Sequence, residues 1–159
     1  MSPAAATVTL DRVVPDFRLP GSSGTSWRLK DARGQKLVLY FYPRDNTPGC
    51  TLEAQDFGAL QPRFERAGTR IVGVSRDSVA SHEKFRAKMG LPFELLADED
   101  ETICRMFDVI REKNMYGRRV LGIERSTFLL DAAGVLRREW RKVKVPDHAH
   151  EVLAAAESL

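Results

Sequence analysis

The chain has 159 residues, 43% of them hydrophobic and 30% charged, with a net charge of +3 at pH 7. That length fits one domain with a substantial core, and charges of both signs are mixed along it, without the basic block or aromatic-interleaved basic helix of a nucleic-acid partner. No run approaches the ~20 apolar residues of a membrane span, and the start lacks the basic and apolar regions of a secretory signal, so the expectation is a cytoplasmic protein without membrane attachment.

Residues 1–7 read as a flexible Ala-rich tail and residues 8–159 as a single domain. The first β-like pieces, Val13–Leu19 and Thr25–Leu29, flank Gly21-Ser22-Ser23-Gly24 and predict an N-terminal hairpin extension. The central strand follows at Leu37–Tyr42, almost continuously apolar, as a strand covered on both faces should be. Pro43, Asp45, Asn46, Pro48 and Gly49 break it, and a helix is predicted from about Cys50 to Arg66, with Phe57, Leu60 and Phe64 at helical spacing and Glu53 on the same inward side.

A second buried strand is read at Arg70–Ser75 and a second helix at Ser78–Met89, presenting Val79, Phe85 and Met89. A short strand at Phe93–Leu96 and a short helix at Glu101–Phe107 come next, then a loop over Met115–Arg119. Ser126–Leu130 and Val135–Val143, joined by the turn Asp131–Gly134, predict an antiparallel hairpin, and Asp147–Ser158 a last helix. Strands alternating with helices, then a hairpin and a helix, describe a three-layer α/β sandwich whose ligand is expected at the carboxyl end of the sheet, where Leu37–Tyr42 turns into the first helix.

Cys50 stands at that point. Only a thiolate is a good nucleophile, a free thiol is mostly protonated at neutral pH, and the unpaired N–H groups and dipole of a helix N-terminus stabilise the anion. Pro48 and Gly49 suit a helix entry that brings backbone close to a ligand. Two cysteines in all argue for packing or chemistry rather than a disulfide scaffold. His82, His148 and His150 have no shared ligand spacing, and His148 and His150 read as surface residues, so no metal is expected. The acidic run Asp98–Glu101 reads as charge favouring a helix N-terminus, and Arg137 to Lys142 as a solvated strand edge.

Pro43-x-x-x-Thr47-x-x-Cys50 resembles the active-site motif of the peroxiredoxins. The longer stretch Tyr40-Phe41-Tyr42-Pro43, Thr47-Pro48-Gly49-Cys50-Thr51 and Glu53 resembles their PrxQ, or bacterioferritin-comigratory-protein, branch. The likeness runs from Pro15-Asp16-Phe17 through Gly73–Asp77 to Gly122–Phe128.

The resemblance implies a thioredoxin-like fold with a central mixed β-sheet, and a monomeric thiol peroxidase that reduces hydrogen peroxide and organic hydroperoxides without cofactor. It implies Cys50 as the peroxidatic nucleophile that becomes a sulfenic acid, and Thr47 as a hydroxyl for thiolate and peroxide. Pro43 would shape the loop, and Arg125 would be the charge that stabilises thiolate and leaving oxygen. Glu53 is expected to orient Arg125.

The branch's resolving cysteines fall five residues after the first, or in the next helix. Here those positions hold Gln55 and Arg86. Cys104 then reads as a buried core thiol, and the expected cycle has one cysteine, with thioredoxin, glutaredoxin or glutathione attacking the oxidised Cys50; an internal Cys50–Cys104 disulfide is the alternative. The rival classes are a thiol-disulfide oxidoreductase, which needs a Cys-x-x-Cys that Thr47 and Glu53 do not supply, and a holdase chaperone on the same fold.

Overall fold

Leu37-Val38-Leu39-Tyr40-Phe41 holds no charged residue, so a strand built from it must have two dry faces. In the computed structural model, which describes residues 7–159, it does: β3 (Lys36–Phe41) is the middle of a five-stranded sheet, with Leu37 through Phe41 all buried. The expected tail, Thr7 apart, lies outside the described residues.

On one side of β3 run β4 (Thr69–Ser75) and β5 (Glu94–Ala97), both parallel to it; on the other runs β8 (Ser126–Leu130), antiparallel to β3, with β9 (Leu136–Trp140) antiparallel to β8 at the edge. The sheet is thus mixed and the fold thioredoxin-like, as expected. Parallel neighbours need crossovers, and α1 (Pro48–Arg66) and α2 (Val79–Met89) supply them.

Alternation along β3 divides the core. Leu37, Leu39 and Phe41 pack with Phe17, Trp27, Phe107 and Phe128 on one face of the sheet. Val38, Tyr40 and Tyr42 pack on the other with Phe57 and Phe64 of α1, Phe85 of α2, and Val152 and Leu153 of α4 (His148–Glu157). Cys50 belongs to this second face; Cys104, in the short α3 (Thr102–Met106), belongs to the first. The acidic run before α3 does cap it: the Asp98 carboxylate accepts the N–H groups of Ile103 (3.2 Å) and Cys104 (2.7 Å).

The N-terminal hairpin is present but shorter than expected, β1 (Arg18–Pro20) pairing with β2 (Ser26–Arg28). Val13 makes only an isolated bridge to Val135, and Pro15, which has no N–H to give a ladder, separates it from β1. The larger correction concerns Met115–Arg119, expected as a loop. Here β6 (Ile110–Met115) and β7 (Arg118–Ile123) form a separate hairpin, turned by Tyr116 and Gly117 with φ of 54° and 78°. Residues 118–121 are exposed, so these strands lack the buried alternation by which strands are read, and turn geometry is what fixes them. Among the described residues no helix is long and apolar enough to cross a membrane.

Candidate active site

β3 delivers the chain to the site. Tyr42 is buried and Pro43 half-buried; Asn46 takes a left-handed φ of 59°, and Thr47 is extended at the N-cap of α1. Pro48 occupies the first helical position, where its missing N–H costs nothing, and the first helical bond runs from Thr51 N–H to the Thr47 carbonyl (2.8 Å). Cys50 therefore sits in the first turn, where backbone N–H groups face outward, and is only 2% exposed.

Arg125, just before β8, reaches this turn because β8 lies antiparallel beside β3, with Ser126 opposite Phe41. Its guanidinium forks: Nη2 donates to Cys50 Sγ at 3.4 Å and Nη1 to Glu53 Oε1 at 2.6 Å. Gly49 makes room for it, since a Cβ built there would lie 3.2 Å from Nη2. The expected Glu53–Arg125 pairing is thus present, and the planar fork is what lets one cation serve both atoms.

Glu53 is 1% exposed, and its Oε2 has no partner among the described residues. Burial, opposed by Arg125, pushes its carboxyl up from 4.5 to about 7. The folded value lies above the unfolded one, so the stability this group contributes is complete below about pH 4.5 and is lost as pH rises through about 7. Fully ionised, the buried carboxylate costs about 3 kcal/mol. Glu53→Gln is accordingly expected to gain on wild type in urea unfolding as pH rises across that range, while turnover falls about tenfold because Arg125 loses a charged acceptor. A stability difference that is flat with pH would contradict this.

The structure brings Cys50, Arg125 and Glu53 together; Thr47 and Pro43 are placed by the loop. The Thr47 hydroxyl donates to the Arg44 carbonyl at 2.9 Å, which leaves its lone pairs to accept from a ligand. Lys113 of β6, on a stretch that carried no signal in the sequence, borders the site. Its Nζ donates to the Ile123 carbonyl at 2.6 Å, and burial, with Arg125 and Arg76 adding to it, lowers its pKa, while Cys50 acts the other way.

His148 also departs from its surface reading. It is 5% exposed, and its Nε2 lies 2.8 Å from the Thr127 hydroxyl. Burial, with the Arg125 charge behind it, lowers its pKa to about 4, so it is neutral at working pH. The signal for it was periodic: His148, Val152 and Ala156 fall on one face of α4, all buried. His82, on α2, is buried too, where Val79 was expected to point inward.

The second thiol is remote from this chemistry. Cys104 is fully buried on the opposite face of the sheet, and burial with the Asp98 carboxylate pushes it far up, toward the neutral thiol. At the two positions that hold the branch's resolving cysteines, Gln55 is exposed, and Arg86 donates to the Leu91 carbonyl and the Ser22 hydroxyl (both 3.3 Å).

A thioredoxin-like sheet that holds one thiol in a helix's first turn, met by an arginine fork from a neighbouring strand, defines a thiol-based redox enzyme. The AhpC/TSA family profile matches residues 10–139. Peroxiredoxin Bcp of Xanthomonas campestris is 57% identical over 150 residues, covering 94% of each chain, and that of Bacillus subtilis 47% identical over 147 residues, covering 92% of this chain and 94% of the other. Among solved structures, Peroxiredoxin Q of X. campestris superposes with a TM-score of 0.85 at 58% identity, over 89% of this chain and 90% of that one. A cysteine-to-serine variant of PrxQ from Xylella fastidiosa gives 0.91 at 44% identity, over 96% and 98%. The chain belongs to the AhpC/TSA family, among its Bcp, or PrxQ, peroxiredoxins, and is a peroxidase.

Proposed function

We propose that this peroxiredoxin reduces hydrogen peroxide and organic hydroperoxides by a one-cysteine cycle, with Cys50 as nucleophile and an external thiol as reductant. A structure of the X. campestris protein is described as giving insight into its alkyl peroxide reduction, which favours alkyl hydroperoxides as one substrate class here. The Cys50 thiolate attacks the terminal peroxide oxygen and the O–O bond breaks. The sulfur becomes a sulfenic acid, and the departing alkoxide or hydroxide takes a proton from solvent. Arg125 stabilises the sulfur before attack and the leaving oxygen during it, Thr47 accepts from the peroxide O–H, and Pro43 screens the sulfenate from water. Glu53 keeps the guanidinium turned toward the sulfur.

The sulfenic acid then meets a thiol from glutathione, thioredoxin or glutaredoxin, losing water to form a mixed disulfide that a second thiolate cleaves. One observation carries this reading: the chain's other thiol, Cys104, is buried beyond the sheet from Cys50. The X. campestris protein has been solved with either of two cysteines changed to serine; counted along the chain from the first, the second falls where this chain has Arg86. A monomer working in the reducing cytoplasm fits such a cycle.

Peroxide consumption with each reductant supplied separately tests it. Cys104→Ser is expected to keep wild-type turnover with whichever thiol supports the wild type. Loss of turnover in that variant, with its fold intact, would instead place Cys104 in the cycle.

A further inference from the structure

Outside the Cys50–Arg125–Glu53 group, a dense cluster of buried polar side chains lies against the loop that leads into α1. Asp45, in that loop, is 7% exposed, and His82 of α2 is fully buried. The Asp45 carboxylate accepts from the Tyr42 hydroxyl on Oδ1 (2.5 Å) and from the Ser81 hydroxyl on Oδ2 (2.8 Å); His82 Nδ1 lies 2.7 Å from the same Oδ2. On the other side of the ring, Nε2 is 2.9 Å from the Leu96 carbonyl. Asp77 closes the cluster, its Oδ2 accepting from the Asp45 N–H (2.8 Å) and the Ser75 hydroxyl (2.5 Å).

Asp45, Asp77 and His82 each bring a ligand atom within 4.8 Å of the others, a spacing a divalent cation would fit. The hydrogen-bond directions argue otherwise. A carbonyl oxygen only accepts, so the Nε2 facing Leu96 carries a proton, and Nδ1 is the one ring atom left to bind a metal. It points at a carboxylate oxygen at hydrogen-bond distance, and both carboxylates already take hydroxyl or amide donors. What Nδ1 and Asp45 share is a proton.

We propose that His82 is a positioning residue for peroxide reduction: its ring, protonated on both nitrogens, clamps Asp45 and so fixes the loop from Pro43 to Thr47 that sets where the helix carrying Cys50 begins. The role rests on Cys50 being the nucleophile; the ring's protonation does not. Burial alone would raise the Asp45 carboxyl, but hydrogen bonds from His82 and Tyr42 outweigh it and hold it below its ordinary value, as befits a carboxylate facing an imidazolium. Tyr42, pushed well up by burial, stays a phenol and donates. The pair has every polar atom engaged, the condition under which a buried ion pair holds a unique geometry. α2 grips the loop at a further point, Lys88 Nζ donating to Oδ1 of the left-handed Asn46 at 2.8 Å.

Two measurements test the proposal. In 15N-labelled wild type near neutral pH, the His82 ring is expected to show two N–H protons; a single one would overturn the clamp as described. In single-turnover kinetics, His82→Gln, which keeps a donor for Leu96 but loses the charge and the Nδ1 contact, is expected to slow reaction with hydrogen peroxide roughly tenfold to a hundredfold. Alkylation of Cys50 by iodoacetamide, which asks for no oriented peroxide, should not slow with it. Asp45→Asn should act alike, and the double variant should be no slower than the worse single one. A wild-type peroxide rate in His82→Gln, or equal slowing of both reactions, would overturn the positioning role. Peroxide reduction that persists in Cys50→Ser would overturn the functional reading instead, with the ring's protonation judged separately.

Discussion

Cys50→Ser is expected to abolish peroxide reduction, lowering the rate by at least roughly a thousandfold. An alcohol in the same place is almost never ionised at neutral pH, and among the described residues the side chain hydrogen-bonded to Cys50 Sγ is the guanidinium of Arg125, which donates and cannot take a proton. Serine is close in size to cysteine and can accept the Arg125 hydrogen bond, so the folded structure should persist and the loss be chemical. Consumption of hydrogen peroxide, followed with the reductant that supports wild type, checks it. A variant that still turns over would place the nucleophile elsewhere.

Arg125→Ala is expected to cost roughly a hundredfold to a thousandfold in the rate of Cys50 oxidation, the range for removing one preorganised donor from a developing anion. Stability should fall as well, because Glu53, 1% exposed, would keep a buried carboxylate without its cation. The two losses separate in the double variant with Glu53→Gln: stability should return while the rate does not. Arg125→Lys should recover little of the rate, since one ammonium cannot reproduce a fork whose two nitrogens face Sγ at 3.4 Å and Oε1 at 2.6 Å. Full activity in Arg125→Lys would show that charge alone, without the fork, is enough. Stopped-flow oxidation and urea unfolding on the same samples read both effects.

How much of this was legible follows from where each signal lives. β3 and α1 were readable because their apolar periods are strong and their breakers sit together, and Cys50 stood out by its place between Pro48-Gly49 and an amphipathic helix. Glu53 followed from its spacing to Phe57. Arg125 is different: nothing local marks it, its value comes from β8 lying antiparallel to β3, and only the family resemblance pointed to it. The β6–β7 hairpin escaped because its strands bury little on either face, so no alternation survives to be read.

His148 and His82 escaped for a related reason. A histidine reads as polar, yet on α4 and α2 each occupies an inward position of the apolar stripe and finds its partner, Thr127 or Asp45, far off in sequence. Partners of that kind are set by topology, and a buried polar pair leaves no periodic trace of its own. The acidic run at Asp98 was legible because its role, capping α3, is local.

The proposed cycle has a single sulfur that reacts and no second one in the chain that answers it. Intact-protein mass spectrometry after one equivalent of peroxide, without added reductant, asks this directly. Gain of one oxygen, mapped to Cys50 after trapping, is the predicted result; loss of two hydrogens, with Cys50 and Cys104 recovered in one disulfide-linked peptide pair, would contradict it.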